Sequence, residues 1–138
     1  MPREKQSHKG EIIKIDRLPE RARLLARIEK ALENPAEFYR FERVVFPVVE
    51  QSRAYGAFAK VGLFDERAPV VVRLRSGEEV LLRISGLLSI LRGYEENKMN
   101  DFPHPLKFYM EEQVFFAPIH KKEDVVEHRE WAIIMIGD

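Results

Sequence analysis

Cysteine and threonine are absent from this 138-residue chain. Without cysteine, disulfide scaffolds and thiolate metal centres are excluded. Asn and Gln occur three times each, Ser five times, and Asp five times against eighteen Glu. Few thermolabile side chains beside 33% charged residues is a composition typical of hyperthermophile proteins. Long apolar runs are also missing. The longest, WAIIMI at 131–136, falls far short of the ~20 residues a membrane span needs, and the charged N-terminus has no apolar core of a secretory leader. No membrane partner is expected, and the cytoplasm is the expected compartment. A glycine-rich phosphate loop, a Gly-x-Ser-x-Gly elbow and a His-Glu-x-x-His pair are all lacking, so no enzyme class or cofactor is indicated.

What is present fits one globular domain over residues 18–138 behind an N-terminal arm, 1–17. Apolar residues make up 45% and aromatics 10%, enough for a core without staples. Net charge is zero but unevenly placed. Residues 1–60 carry 13 Lys/Arg against 9 Asp/Glu, and residues 61–138 carry 10 against 14. Such a bipolar chain can offer a basic face to an anionic polymer or associate with copies of itself.

Apolar periodicity predicts a helix from Pro19 to Asn34-Pro35, with Leu18, Leu24, Leu25, Ile28 and Leu32 on its core side. Asn34-Pro35-Ala36-Glu37 then reads as a second helix start, Asn at the cap and Pro in the first turn. The two would form a helical hairpin. Residues 69–92 have two readings. At period two, Val70, Val72 and Leu74 oppose Val80, Leu82 and Ile84 across an RSGEE turn, followed by a helix from Gly86 to Asn97. At period 3.6, Ser76 and Glu79 form a capping box and Val80, Leu81, Ile84, Leu87, Leu88 and Leu91 line a helix face, the VVV run staying a strand either way. Residues 106–119 and 129–137 read as strands around a polar excursion, although the Glu-rich centre of the first also suits a helix. The predicted class is α+β: a basic arm, a helical hairpin, then a small antiparallel sheet with one inserted helix. A mainly α chain is the alternative.

The cations supply the functional reading. Arg23, Arg27 and Lys30 lie within about 60° on a helical wheel at 100° per residue. Grouping Arg23 with Arg27 at i, i+4 opposes helix stability by a few tenths of a kcal/mol, which phosphate contacts would offset through counterion release. Arg3, Lys5, Lys9, Lys14 and Arg17 make the arm basic, and Arg40 and Arg43 interleave with Phe38, Tyr39, Phe41 and Phe46 as a stacking platform would. The plainer alternatives are a solvated helix face and an aromatic core stripe. Basic arm plus helical hairpin over residues 1–60 resembles the nucleocapsid subunits of filamentous archaeal viruses. The cations and this likeness together point to a non-enzymatic nucleic-acid-coating or architectural protein of a hyperthermophilic archaeon or its virus, self-assembling and contacting nucleic acid, expected to be DNA, through phosphates. Two other functions remain open: a protein–protein interaction module acting as a homo- or hetero-oligomer, and a small metal-dependent enzyme. For the last, His120, Asp124 and His128 would share a face if their segment were helical.

Overall fold

A computed structural model describes residues 12–13, 16–60, 67–118 and 125–138. In chain order these form β1 (Ile12–Ile13), α1 (Pro19–Phe38), β2 (Glu42–Arg43), β3 (Val49–Gln51), α2 (Ser52–Ala59), β4 (Arg67–Pro69), β5 (Val71–Arg73), β6 (Glu79–Leu82), α3 (Gly86–Glu96), β7 (Leu106–Pro118) and β8 (Val125–Ile136). The fold is α+β. Among the described residues no helix is long and apolar enough to cross a membrane.

β7 and β8 are the frame. They pair antiparallel from Leu106 opposite Ile136 to Phe116 opposite Val126. β1 adds in parallel outside β8, and the far edge of β7 takes β2 in parallel at its start and β4 antiparallel at its end. Alternate β7 residues serve opposite faces. Phe108 and Met110 pack with Ile90 of α3, bordered by Val44, Phe46, Leu106, Ala132 and Ile134. Tyr109 points the other way, where its hydroxyl donates to Glu33 of α1 (3.3 Å). Helices thus lie on both faces, and only the α3 face is apolar.

The expected β-hairpin is present. Val72 lies opposite Val80, and β3 completes a three-stranded antiparallel sheet on the other side of β6. Gly77 takes φ +89° in the turn, a conformation that favours glycine. The Ser76–Glu79 capping box does not form. Ser85 caps α3 instead, its Oγ accepting from Leu87 N (3.2 Å). Gly93 of α3 allows a close approach: a Cβ there would stand 2.3 Å from the Phe46 ring.

The helical hairpin is corrected. Pro35 lies inside α1, which runs on to Phe38. Pro35 removes one donor, from the exposed carbonyl of Ala31, where water can substitute. Ala36 meanwhile is buried, so tertiary packing outweighs the local stop signal. The helix closes in a Schellman motif, with Phe41 N donating to Ala36 O (2.8 Å) and Arg40 N to Glu37 O (2.9 Å). The first part of the expected second helix, residues 41–51, is extended chain, while its continuation beyond Pro47 is helical as α2. Val44, Val45, Val48 and Val49 favour that conformation, Pro47 blocks a helix, and Val44 N donates to Tyr109 O (2.9 Å).

Arg83 joins the two sheets. Its side chain is 1% exposed, and its backbone links Val48 O (2.7 Å) to Phe115 N (2.8 Å). From the guanidinium, Nε donates to Gln113 O (2.9 Å) and Nη1 to Phe46 O (3.0 Å), while Nη2 lies 3.5 Å from Glu112. Burial pushes this guanidinium below its ordinary value, against the pull of Glu112 and Glu50. Glu50 of β3 is itself buried, accepting from Ser89 (2.9 Å) and pairing with Arg92 of α3 (2.5 Å).

Two outcomes follow for urea unfolding. Arg83→Met strands three acceptors at once and should cost about 3 kcal/mol. Arg40→Gly should do the opposite. Arg40 holds φ +61° at the position after the helix cap, where glycine is at ease, so the change should add about 1 kcal/mol.

Candidate functional site

α1 presents three longitudinal faces. Leu25, Glu29, Glu33 and Ala36 turn toward the sheet and are the positions shielded from solvent. Leu24, Ile28, Ala31, Leu32 and Phe38 fall within about 120° of the wheel and are exposed, with large side chains 36–80% accessible. Arg23, Arg27 and Lys30 occupy the third face, also exposed. The expected core side is thereby corrected: of its members within the helix only Leu25 is shielded, while Leu24, Ile28 and Leu32 face solvent.

The seat of α1 on the sheet is polar. Glu29 pairs with Arg129 of β8 at 2.7 Å, and Arg129 lies 3.6 Å from Glu111 of β7. Tyr109 donates to Glu33 and stands 6.2 Å, ring to ring, from Trp131. Burial raises the Glu111 carboxyl above its ordinary value, and the adjacent Glu29 raises it further against the pull of Arg129. One guanidinium therefore serves two carboxyl groups. Burial also raises the Tyr109 phenol, helped by Glu33 and Glu37. Such a seat positions α1 while leaving its apolar face unused.

On the opposite face of the sheet the charges satisfy one another. Glu130 accepts from Ser85 Oγ and Gly86 N, both 2.9 Å, and pairs with Arg67 at 3.1 Å. Arg67 also donates to Ile84 O (3.0 Å) and lies 4.5 Å over the Phe116 ring. A carboxylate of the chain's own thus occupies the N-terminus of α3.

Of the cations singled out in the sequence, Arg3, Lys5, Lys9 and Lys14 lie outside the described residues. Arg17 is half-buried ahead of α1. Arg23 and Arg27 line a shallow cleft with Glu20, Arg21 and Leu24, and Lys30 continues their edge. Arg40 and Arg43 are exposed at the other end of α1 and on β2, so the structure does not bring the six described cations into one strip. The aromatics divide similarly. Phe38 and Tyr39 are exposed and meet edge to face at 5.2 Å. Phe41 and Phe46 are half-buried beneath Lys107 and Arg92.

His120 and Asp124 fall outside the described residues. His128 stands on strand β8, opposite Val114 and edge-on to Phe116. The helical spacing on which that metal-ligand set depended is therefore not available to it. Among the described residues no cluster of three metal-binding side chains occurs.

No protein-family model matches the chain, and no curated protein matches it either. Solved structures do. The chain is similar to an ATP phosphoribosyltransferase regulatory subunit/histidyl-tRNA synthetase from Bacillus halodurans, at 19% identity and TM-score 0.74, covering 100% of this chain and 34% of that one. It is similar to apo histidyl-tRNA synthetase from S. aureus, at 21% identity and TM-score 0.67, covering 88% of this chain and 32% of the other. A pyrrolysyl tRNA synthetase from Desulfitobacterium hafniense matches at 14% identity and TM-score 0.61, covering 80% and 38%. The chain spans about a third of the length of these structures, and at such identities the likeness is one of fold.

These comparisons overturn the coat-protein expectation. The neighbours are bacterial proteins of synthetase fold, where an archaeal or virion nucleocapsid subunit was expected, and they give no support to DNA as the partner. The physical reason is visible in the chain. The helical hairpin in that reading rests on a turn at Asn34-Pro35 that the structure does not form, and Leu106–Pro118 and Val125–Ile136 form the frame of a sheet.

The polar seat of α1 makes pH a handle. Because Glu111 sits above the ordinary glutamate value of 4.5, its contribution is complete below that value and is lost as pH rises through the elevated one. Melting at pH 7 should therefore be lower than near pH 5 by more in the native chain than in Glu111→Gln, measured by circular dichroism. Equal pH dependence of the two proteins would remove the Glu29–Glu111 pair as its source.

Proposed function

We propose that this chain is an assembly or regulatory subunit of synthetase fold that works by association, with a second copy of the chain covering the apolar face of α1. One observation carries this reading: Leu24, Ile28, Leu32 and Phe38 are 36–80% exposed on one side of a helix whose opposite side is seated on the sheet. Contiguous apolar surface of that kind on a soluble domain marks an interaction site, and symmetric pairing is its commonest use. The likeness to a structure described as a regulatory subunit, over the whole of this chain, supports a role through partners. The mutual satisfaction of Arg67, Glu130 and Ser85 on the other face supports it too, since those groups are engaged in holding α3 and β4 to the sheet.

Association is measurable by sedimentation equilibrium. The native chain should run as a multiple of 16.2 kDa, and Leu24→Glu with Ile28→Glu should weaken self-association at least 100-fold, about 2.7 kcal/mol, without loss of the circular dichroism signal. A native chain that is monomeric at 100 times the concentration used for the melt, or a double variant that associates as well as the parent, would refute the proposal.

A further inference from the structure

A cavity of about 410 Å³ opens beside the C-terminal end of α1, away from the Leu24–Leu32 stripe. Phe102, Pro105 and Phe108 line it with apolar surface, and Arg40, Lys107 and Glu42 add charge. Phe102 is 48% exposed, which leaves its ring partly open to a ligand. Lys107 is fixed in place, its Nζ donating to Tyr39 O (3.4 Å) and lying 5.5 Å over the Phe41 ring. Arg40 makes no ion pair or side-chain hydrogen bond among the described residues.

Arg40 is the informative residue. It occupies the left-handed position of the Schellman motif at φ +61°, where glycine would relieve the backbone. An unpaired arginine held at that cost, at the mouth of a cavity, points to a use outside folding. The combination is specific in kind. An aromatic ring and prolines accept a flat heterocycle, two cations accept a phosphate, and a carboxylate accepts the hydroxyls of a sugar. The volume is within the range of small-ligand pockets, roughly 300–1,000 Å³.

We infer that the cavity bounded by Arg40, Phe102 and Lys107 binds a nucleobase carrying a phosphate, with the base against Phe102 and the phosphate between Arg40 and Lys107. Free nucleotides and the ends of single-stranded RNA share that chemistry. The site adjoins the Phe38 end of the α1 stripe but shares none of its side chains, so its failure would leave the association proposal standing.

Fluorescence anisotropy on the full chain at low salt tests it, with labelled hexa-adenylate RNA as probe and AMP as competitor. Saturable binding of the hexamer is expected, weakened at least tenfold by Phe102→Ala and by Arg40→Gly. Because Arg40→Gly should melt higher than the parent, its loss of binding cannot be assigned to unfolding. Competition by AMP would assign the pocket to a free nucleotide, and hexamer binding without competition to a strand end; either supports the inference. Absence of binding, or binding untouched by both variants, overturns it. So does a change of sedimentation mass in Phe102→Ala, which would make the cavity part of the contact between copies.

Discussion

The structure depends on one buried cation. Arg83 reaches backbone carbonyls from two separate segments, at Phe46 and Gln113, and its own backbone bonds Val48 and Phe115. Those contacts join the three-stranded sheet, the connector 44–48 and the long β7–β8 hairpin, pieces that share no continuous hydrogen-bond ladder among the described residues. A hydrophobic residue could fill the space but could not meet the carbonyls, and a buried unpaired carbonyl is costly. Lysine lacks the fork that addresses several acceptors at once. The joining of the two sheets therefore depends on geometry supplied by a single guanidinium.

The two faces of the central sheet use different physics. Toward α3, Phe108, Met110 and Ile90 exclude water, and the charges at the edge of that face are closed on one another. Toward α1, the contact is a small group of carboxyl groups, a phenol and one arginine. A polar seat fixes orientation but contributes little apolar burial, so α1 keeps a hydrophobic stripe that its own molecule does not cover. Had the stripe been turned inward, Glu29 and Glu33 would face solvent and the sheet would lose its partner for Arg129.

Much of the fold was legible where local signals and tertiary demands agree. The Val72–Val80 hairpin, the helix beginning at Gly86 and the strand character of the last third all followed from periodicity and β-branched side chains, and α+β was the right class. Asn34-Pro35 misled because a proline three residues before a helix end costs only one hydrogen bond, which burial of Ala36 outweighs. The four valines of residues 44–49 were the available sign of extended chain, and periodicity over the aromatics concealed it. The candidate site was harder. Leu24, Ile28 and Leu32 do share a face, but a helical wheel cannot say whether that face meets the chain's own core or another surface. Glu29 and Glu33 were the missed clue, since both sit on the side that proves to be seated. Nothing near Phe102 in the sequence connects it to Arg40, because only the parallel pairing of β2 with β7 brings them together.

That pairing also sets the order in which the molecule can complete itself. β2 leaves the site of synthesis well before β7, the strand it must lie against. Until β7 emerges, residues 41–49 are a valine-rich segment whose hydrogen-bonding groups lack that partner, the kind of segment prone to wrong encounters. Arg40, Glu42 and Arg43 stand at the head of that stretch. Charged residues flanking a β-prone segment disfavour its edge-to-edge pairing with other copies, so these three side chains stand where such protection is needed.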